Sequence, residues 1–242
     1  MSYAETYLKT VTEQIDAIQR SQKDQILAAG KQFAEVLCRG GWIYVFGTGH
    51  SHMIAEELFY RAGGLSRIRP ILLPALMLHE SASESTAIER DPRLVDQILD
   101  QYPIQAEDVL LVVSNSGRNP VPVELAMRVQ ERKTPVVALL NARHSASVQS
   151  RHQSGLKLGD IADLVIDNCG IEGDACVSLG DGRIGAASTV TGALIVQMIA
   201  CHAIETAMQG GWKPEIFCSS NASGEDHNDA ILERYRGLVR HL

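Results

Sequence analysis

Five short apolar runs, rich in β-branched residues, alternate with helix-length segments between residues 43 and 166. They cover 43–46, 71–73, 109–113, 136–140 and 164–166. The runs are near-continuously apolar rather than alternating, the pattern of strands buried on both faces. Helical spacing marks the segments at 52–62, 92–99, 120–131 and 145–149, and a long one follows at 188–209. Doubly buried strands separated by helices admit one economical architecture, a parallel sheet with helices on each side. The expected fold class is therefore α/β, a three-layer αβα sandwich around a five-stranded parallel sheet.

The flanks extend this frame. Tyr7, Leu8, Val11, Ile15 and Ile18 form one helical stripe. Ile26, Leu27, Phe33, Ala34 and Leu37 form another, which Gly40 and Gly41 end. We expect a single domain over 1–242: a helical hairpin at 1–40, an α/β core at 41–210, and a C-terminal tail with a last helix at about 229–239. Residues 168–187 are glycine-rich and acidic and read as a long functional loop, in which Asp181 and Arg183 suit either a ligand or solvent.

Composition removes several function classes. A formal net charge of −7 argues against a surface that coats a polyanion, so no nucleic-acid partner is expected. No run of 18 uninterrupted apolar residues occurs and the first residues hold no apolar stretch of signal-peptide length, so no membrane partner is expected. Five cysteines, scattered and without a C-x-x-C pair, point to reduced thiols and a cytoplasmic location.

Two post-strand loops carry the chemistry. "GTGHSH" (47–52) follows the first strand and "SNSGRN" (114–119) follows the third. In a flavodoxin-like strand order these strands are neighbours at the point where the order reverses, where such sheets bind ligands. Glycines let backbone N–H groups approach an anion, serines add donors without bulk, and a following helix N-terminus adds positive potential. Pro120 and Pro122 fit the first turn of that helix. Each loop alone is also readable as a turn or a cap. There is no P-loop signature, and a dinucleotide fingerprint fails because His52 stands where its third glycine belongs. No cofactor is expected.

With "GTGHS" before a helix and "SNSGRN" after a strand, the chain resembles the sugar isomerase (SIS) domain family over about residues 41–209. Its usual S-x-S-G-x-T loop here ends in Asn119 instead of threonine. The resemblance implies the SIS fold with its N-terminal helices, and a phosphorylated sugar as ligand. It also implies a homodimer or homotetramer. It puts the phosphate on Ser51, Ser114, Ser116 and Asn119, with the backbone of Asn115 and Gly117 assisting and Gly49 and His52 in the first turn. Ser188 and Thr189, opening the long helix at 188, fit sugar or phosphate contacts, or a plain N-cap. The implied activity is aldose–ketose isomerisation, with an N-acetylmuramic acid 6-phosphate etherase-like lyase or a non-catalytic sugar-phosphate sensor as alternatives. Sensors of this family normally carry a DNA-binding domain, which forty residues of non-basic helix do not supply.

Both reactions begin by removing a proton beside a carbonyl, which suits a carboxylate aided by histidine. "LHESASESTAIER" after the second strand offers His79, Glu80, Glu84 and Glu89, and the resemblance favours Glu84 or Glu80 as base. The other reading is a solvated acidic loop with a capping serine. Glu56 and Glu57 follow the first loop and suit either cleft or solvent. His50 and His52 flank Ser51 as ring-opening acid or phosphate partner; no third ligand is spaced for a metal, and none is expected. His202 sits on an apolar stripe and reads as structural. Asn221, Glu225, Asp226 and His227 suit either a neighbouring subunit's cleft or an exposed linker.

Overall fold

The computed structural model describes residues 1–219, 221 and 225–242, the side chains at 225 and 226 excepted. The sheet is five-stranded and parallel, in the order β2-β1-β3-β4-β5. The strands are β1 (Ile43–Gly47), β2 (Ile68–Ile71), β3 (Val109–Val113), β4 (Val136–Leu140) and β5 (Leu164–Asp167). β1 and β3 pair from Ile43↔Val109 to Gly47↔Val113, so their carboxyl ends finish level and side by side.

Every residue of β1, β3 and β4 is buried. Successive side chains point to opposite faces and feed two separate cores. Val45, Leu111, Val113, Val137 and Leu139 pack under α2 (Lys23–Cys38), α3 (His52–Leu58) and α9 (Ser188–Gln209). Tyr44, Phe46, Leu110, Val112 and Leu140 pack under α5 (Leu94–Gln101), α6 (Pro120–Glu131) and α8 (Leu158–Ile161). α4 (Leu78–Ile88) and α7 (Ala142–Ser147) lie in the connections. α2 runs close along α9: a Cβ on Gly30 would lie 2.8 Å from the His202 ring, so only glycine allows the approach. By length and composition α9 is apolar enough to cross a membrane, and its Ile195, Val196, Ile199 and Ala203 are buried in this core.

Several boundaries differ from the sequence expectation, each for a local reason. β2 sits three residues earlier than 71–73 and contains Pro70. As an edge strand paired only with β1, it tolerates a residue without an N–H. α3 ends at Leu58 instead of residue 62, because Phe59 turns extended and Tyr60 has φ +43°. α7 starts at residue 142, where the Asn141 carboxamide accepts from the His144 N–H. The last helix, α10, is Glu225–Tyr235 rather than 229–239.

The stretch expected as a loop at 168–187 instead holds an antiparallel hairpin, β6 (Ala175–Leu179) and β7 (Gly182–Ala186). Gly180 has φ +56° at its two-residue turn, a backbone only glycine takes easily. α1 (Tyr3–Ser21) lies on this hairpin: Tyr7 donates to the Ala186 carbonyl, and Val11 packs with Cys176 and Val177. The C-terminal segment covers the β2 edge of the domain, with Phe217, Ile231, Tyr235 and Val239 packed beside Trp42 and Phe59. Arg69 stacks on Trp42 at 3.9 Å.

Candidate functional site

β1 ends in Gly47, where a Cβ would meet the Ser51 carbonyl at 2.5 Å. Glycine there lets the chain fold straight into a 3-10 turn, Gly49–Ser51, ahead of α3. Gly49 itself has φ +54°. His52 turns inward: its ring is buried, bonded at Nδ1 to the Gly49 carbonyl and 3.8 Å at Nε2 from Glu56. It fastens the loop to the helix. His50 and Ser51 are left facing a pocket.

The β3–α6 loop is held from outside through its carbonyls. Those of Asn115, Gly117 and Arg118 accept from the N–H groups of Asn141, Leu158 and Arg151 at 2.8–3.0 Å. Ser114 Oγ accepts from the Gly117 N–H at 3.2 Å, and Gly117 has φ +60°. Among the described residues, no acceptor takes the N–H groups of Asn115, Ser116, Arg118 or Asn119. A loop with its carbonyls turned away and its N–H groups free is an anion nest, and it leads into the N-terminus of α6 with Pro120 in the first turn.

One pocket joins these parts. Its walls are His50 and Ser51 from the first loop, Asn115 from the second, Asn168 beyond β5, and Ser188 and Thr189 opening α9. Ile54, Val113 and Leu139 line its apolar side. Asn115 is positioned by a buried chain of amides: Asn168 Nδ2 donates to Asn115 Oδ1 at 2.9 Å, and the Asn168 carbonyl accepts from Gln14 Nε2 at 2.7 Å. Gln14 also reaches Thr191 Oγ1 at 3.3 Å, so α1 is wired to the floor of the pocket.

Ser188 is not a plain cap. Asp174, on the hairpin approach, accepts from the N–H groups of Ala187 and Ser188 at 3.1 and 2.8 Å and from Ser188 Oγ at 2.6 Å. The α9 terminus already carries a carboxylate, so Ser188 and Thr189 suit sugar hydroxyls better than a second anion. Asn119 is also engaged: its Nδ2 donates to Glu89 Oε1 at 2.6 Å and its Oδ1 accepts from Arg151 at 2.9 Å. Glu89 Oε2 accepts from the Thr48 hydroxyl at 2.6 Å, so this one carboxylate ties the two loops together.

The other acid–base candidates stand on α4, a helix and not a loop. Its backbone breaks at Ser81, whose hydroxyl accepts from the Glu84 N–H and restarts the helix. His79 and Glu80 lie 3.5 Å apart and line a neighbouring cleft of about 380 Å³ with Glu56, Arg240 and His241. Glu84 is exposed and lines neither pocket. Glu57 is held by Arg61 and Gln197. Arg183 bonds the Ala175 carbonyl within the hairpin. His227 bonds the Ile216 carbonyl and Asn221 is exposed, while the side chains of Glu225 and Asp226 lie outside the described residues. Among the described residues no three His, Cys, Asp or Glu side chains are grouped as a metal would require.

No local pattern announces Gln14 or Asp174, which act through contacts more than one element away. Asn168 was accessible in principle, since it follows β5 as Ser114 follows β3.

Comparison with known proteins agrees with this architecture. The SIS domain family matches residues 6–141. A UPF0309 protein of Listeria monocytogenes serotype 4b is 40% identical over 236 residues, covering 96% of each chain. Another, from Halalkalibacterium halodurans, is 41% identical over 237 residues, covering 97% of this chain and 95% of its own. A phosphoheptose isomerase structure from Francisella tularensis shares the fold at a TM-score of 0.56 and 19% identity, covering 84% of this chain and 96% of that one. The chain belongs to the SIS domain family and, within it, to the UPF0309 proteins.

Proposed function

We propose that this protein binds a phosphorylated sugar and interconverts its aldose and ketose forms. The observation that carries the reading is the β3–α6 loop, where among the described residues four N–H groups have no acceptor and Asn115 lines the same pocket as Ser51. These are the donors a phosphate dianion takes. The sugar then extends over Asn115 and Asn168 toward Ser188 and Thr189, where the Asp174 carboxylate favours hydroxyl donors over anions. His50, in the same pocket, is the group for ring opening. Glu80, beside His79, is the base that moves the proton between C1 and C2 through an enediol, returning it to the adjacent carbon. Both glutamates are exposed, and Glu84, which lines neither pocket, is the less favoured of the two.

One observation favours a second reading. Among the described residues no carboxylate lines the serine pocket itself, as suits a sensor that binds without turnover. The test is thermal stabilisation by a panel of sugar phosphates and their parent sugars, followed by solvent-deuterium exchange at C1 and C2 of each binder. Stabilisation by phosphates alone, lost in Ser116→Ala, supports the site. Exchange abolished by Glu80→Gln but retained in Glu84→Gln supports the isomerase; binding with no exchange supports the sensor. No preference for phosphates over parent sugars would overturn both.

A further inference from the structure

Three arginines converge beside the phosphate loop without a carboxylate of their own. Arg118 lies within the loop, between Gly117 and Asn119. Arg151 is tied to it, backbone N–H to the Arg118 carbonyl at 2.9 Å and guanidinium to Asn119 Oδ1 at 2.9 Å. Arg90 follows Glu89, whose carboxylate bonds Asn119 and whose carbonyl accepts from the Val121 N–H.

Formal net charge over the whole chain is −7. Yet among the described residues none of these three guanidinium groups, of which Arg118 and Arg90 lie close enough to Arg151 for their charges to act on it, forms an ion pair within 4.0 Å. The buried Arg118 Nε has no hydrogen-bond partner. Burial and the neighbouring charges of Arg118 and Arg90 hold Arg151 below the usual arginine range, with Glu89 acting against them. Like charges gathered against their own repulsion, with donors unfilled, are the arrangement an anion relieves.

We infer that Arg90, Arg118 and Arg151 form a second anion subsite, and that the ligand is a sugar phosphate bearing another anionic group, a phosphate or a carboxylate. This rests on the proposed phosphosugar reading and narrows its substrate class. Arg118 belongs to the loop that carries the first phosphate, so one ligand spans both subsites. Glu89 sits between them and keeps a lone phosphate from collapsing onto the arginines.

The experiment measures affinity of the full chain for three probes by calorimetry: fructose 6-phosphate, fructose 1,6-bisphosphate and 6-phosphogluconate. The readout is the affinity ratio of each doubly anionic probe to the monophosphate, in the natural sequence and in Arg90→Gln and Arg151→Gln. We expect a ratio of about tenfold or more for at least one doubly anionic probe. It should fall below about threefold in both variants and shrink as salt is raised. A gain for the bisphosphate alone identifies the second group as phosphate; a gain for the sugar acid alone identifies carboxylate. A ratio near one in the natural sequence, or one the variants do not move, overturns the subsite while leaving monophosphate binding in place. Failure of all three probes to bind overturns the phosphosugar reading and this inference with it.

Discussion

Replacing Gly170 by alanine tests whether the buried amide chain shapes the pocket. Gly170 follows Asn168 at the carboxyl end of the sheet, and its φ is not in the left-handed region, so the backbone accepts alanine. The obstacle is packing. An added Cβ would lie 2.5 Å from Asn141 Nδ2, 2.8 Å from Asn168 Oδ1 and 3.2 Å from Gln14 Nε2. All three atoms are committed: Asn141 Nδ2 donates to the Ile171 carbonyl, Asn168 Oδ1 accepts from the Gly170 N–H, and Gln14 Nε2 holds the Asn168 carbonyl. At least the Asn141 carboxamide must move, and Asn141 is 1% exposed.

Overpacking a filled interior costs about 1–3 kcal/mol. Leaving the Ile171 carbonyl without its donor adds about 1–3 kcal/mol. Reduced freedom of the unfolded chain returns roughly 0.4–1 kcal/mol. The net expectation is a loss of about 2–4 kcal/mol, a fall in Tm of roughly 5–12 °C for a chain of this length. Urea unfolding with an unchanged m-value measures it. The same displacement turns Asn168 away from Asn115, so sugar-phosphate affinity should fall with it. A Gly170→Ala protein melting within about 2 °C of the natural one would refute the reasoning, since the amides would then be free to yield.

Other perturbations separate the parts of the site. Asp174→Ala removes three hydrogen bonds from the start of α9 and leaves alanine at φ +70°, so we expect a loss of about 2–3 kcal/mol, with Asp174→Asn near the natural value in the same urea assay. Glu89→Ala frees the Thr48 hydroxyl and the Asn119 amide, and should lower stability by about 1–3 kcal/mol, read by calorimetry. His241, bonded to Tyr102 and placed beside Arg240, titrates below its ordinary value through burial and that neighbouring charge. Its folded form binds protons less readily than the unfolded chain. The stability it contributes is therefore complete above the ordinary histidine pKa and lost as pH falls through the lowered one. Proton NMR of the His241 ring checks the direction, and a raised value would contradict it.

Elements with coincident local signals were legible from the sequence. β3, β4, α6 and α9 match their expected bounds because burial on both faces, Asn119-Pro120 at a helix start and the glycines after residue 209 all agree. Where a signal depends on neighbours, it misled. Pro70 argues against a strand unless the strand is known to be at an edge. The glycines of 168–187 argue for a loop, and β7, exposed throughout, has no apolar pattern to oppose them. The 114–119 loop was legible as a candidate anion site because its serines, glycine and helix start are contiguous. The amide chain was not, because Gln14 and Asn168 are 154 residues apart and meet only through the fold.

The charges around the cleft also fix how a ligand must lie. At the β3 end, N–H groups of one loop without an acceptor adjoin arginines that form no ion pair among the described residues, so negative charge is favoured there. At the α9 end, the helix N-terminus, ordinarily a second anion site, already carries the Asp174 carboxylate, which takes the N–H groups of Ala187 and Ser188 and the Ser188 hydroxyl proton. The carboxylate of Asp174 thus makes the α9 terminus a less favourable place for an anion than the β3–α6 loop. On the proposed phosphosugar reading, the ligand therefore lies with its phosphate toward α6 and its hydroxyls toward α9. If Asp174→Asn let a phosphate settle at α9 as well, a second equivalent of inorganic phosphate would bind to that variant alone. A single equivalent in both proteins would mean that the hairpin, and not its charge, closes that end.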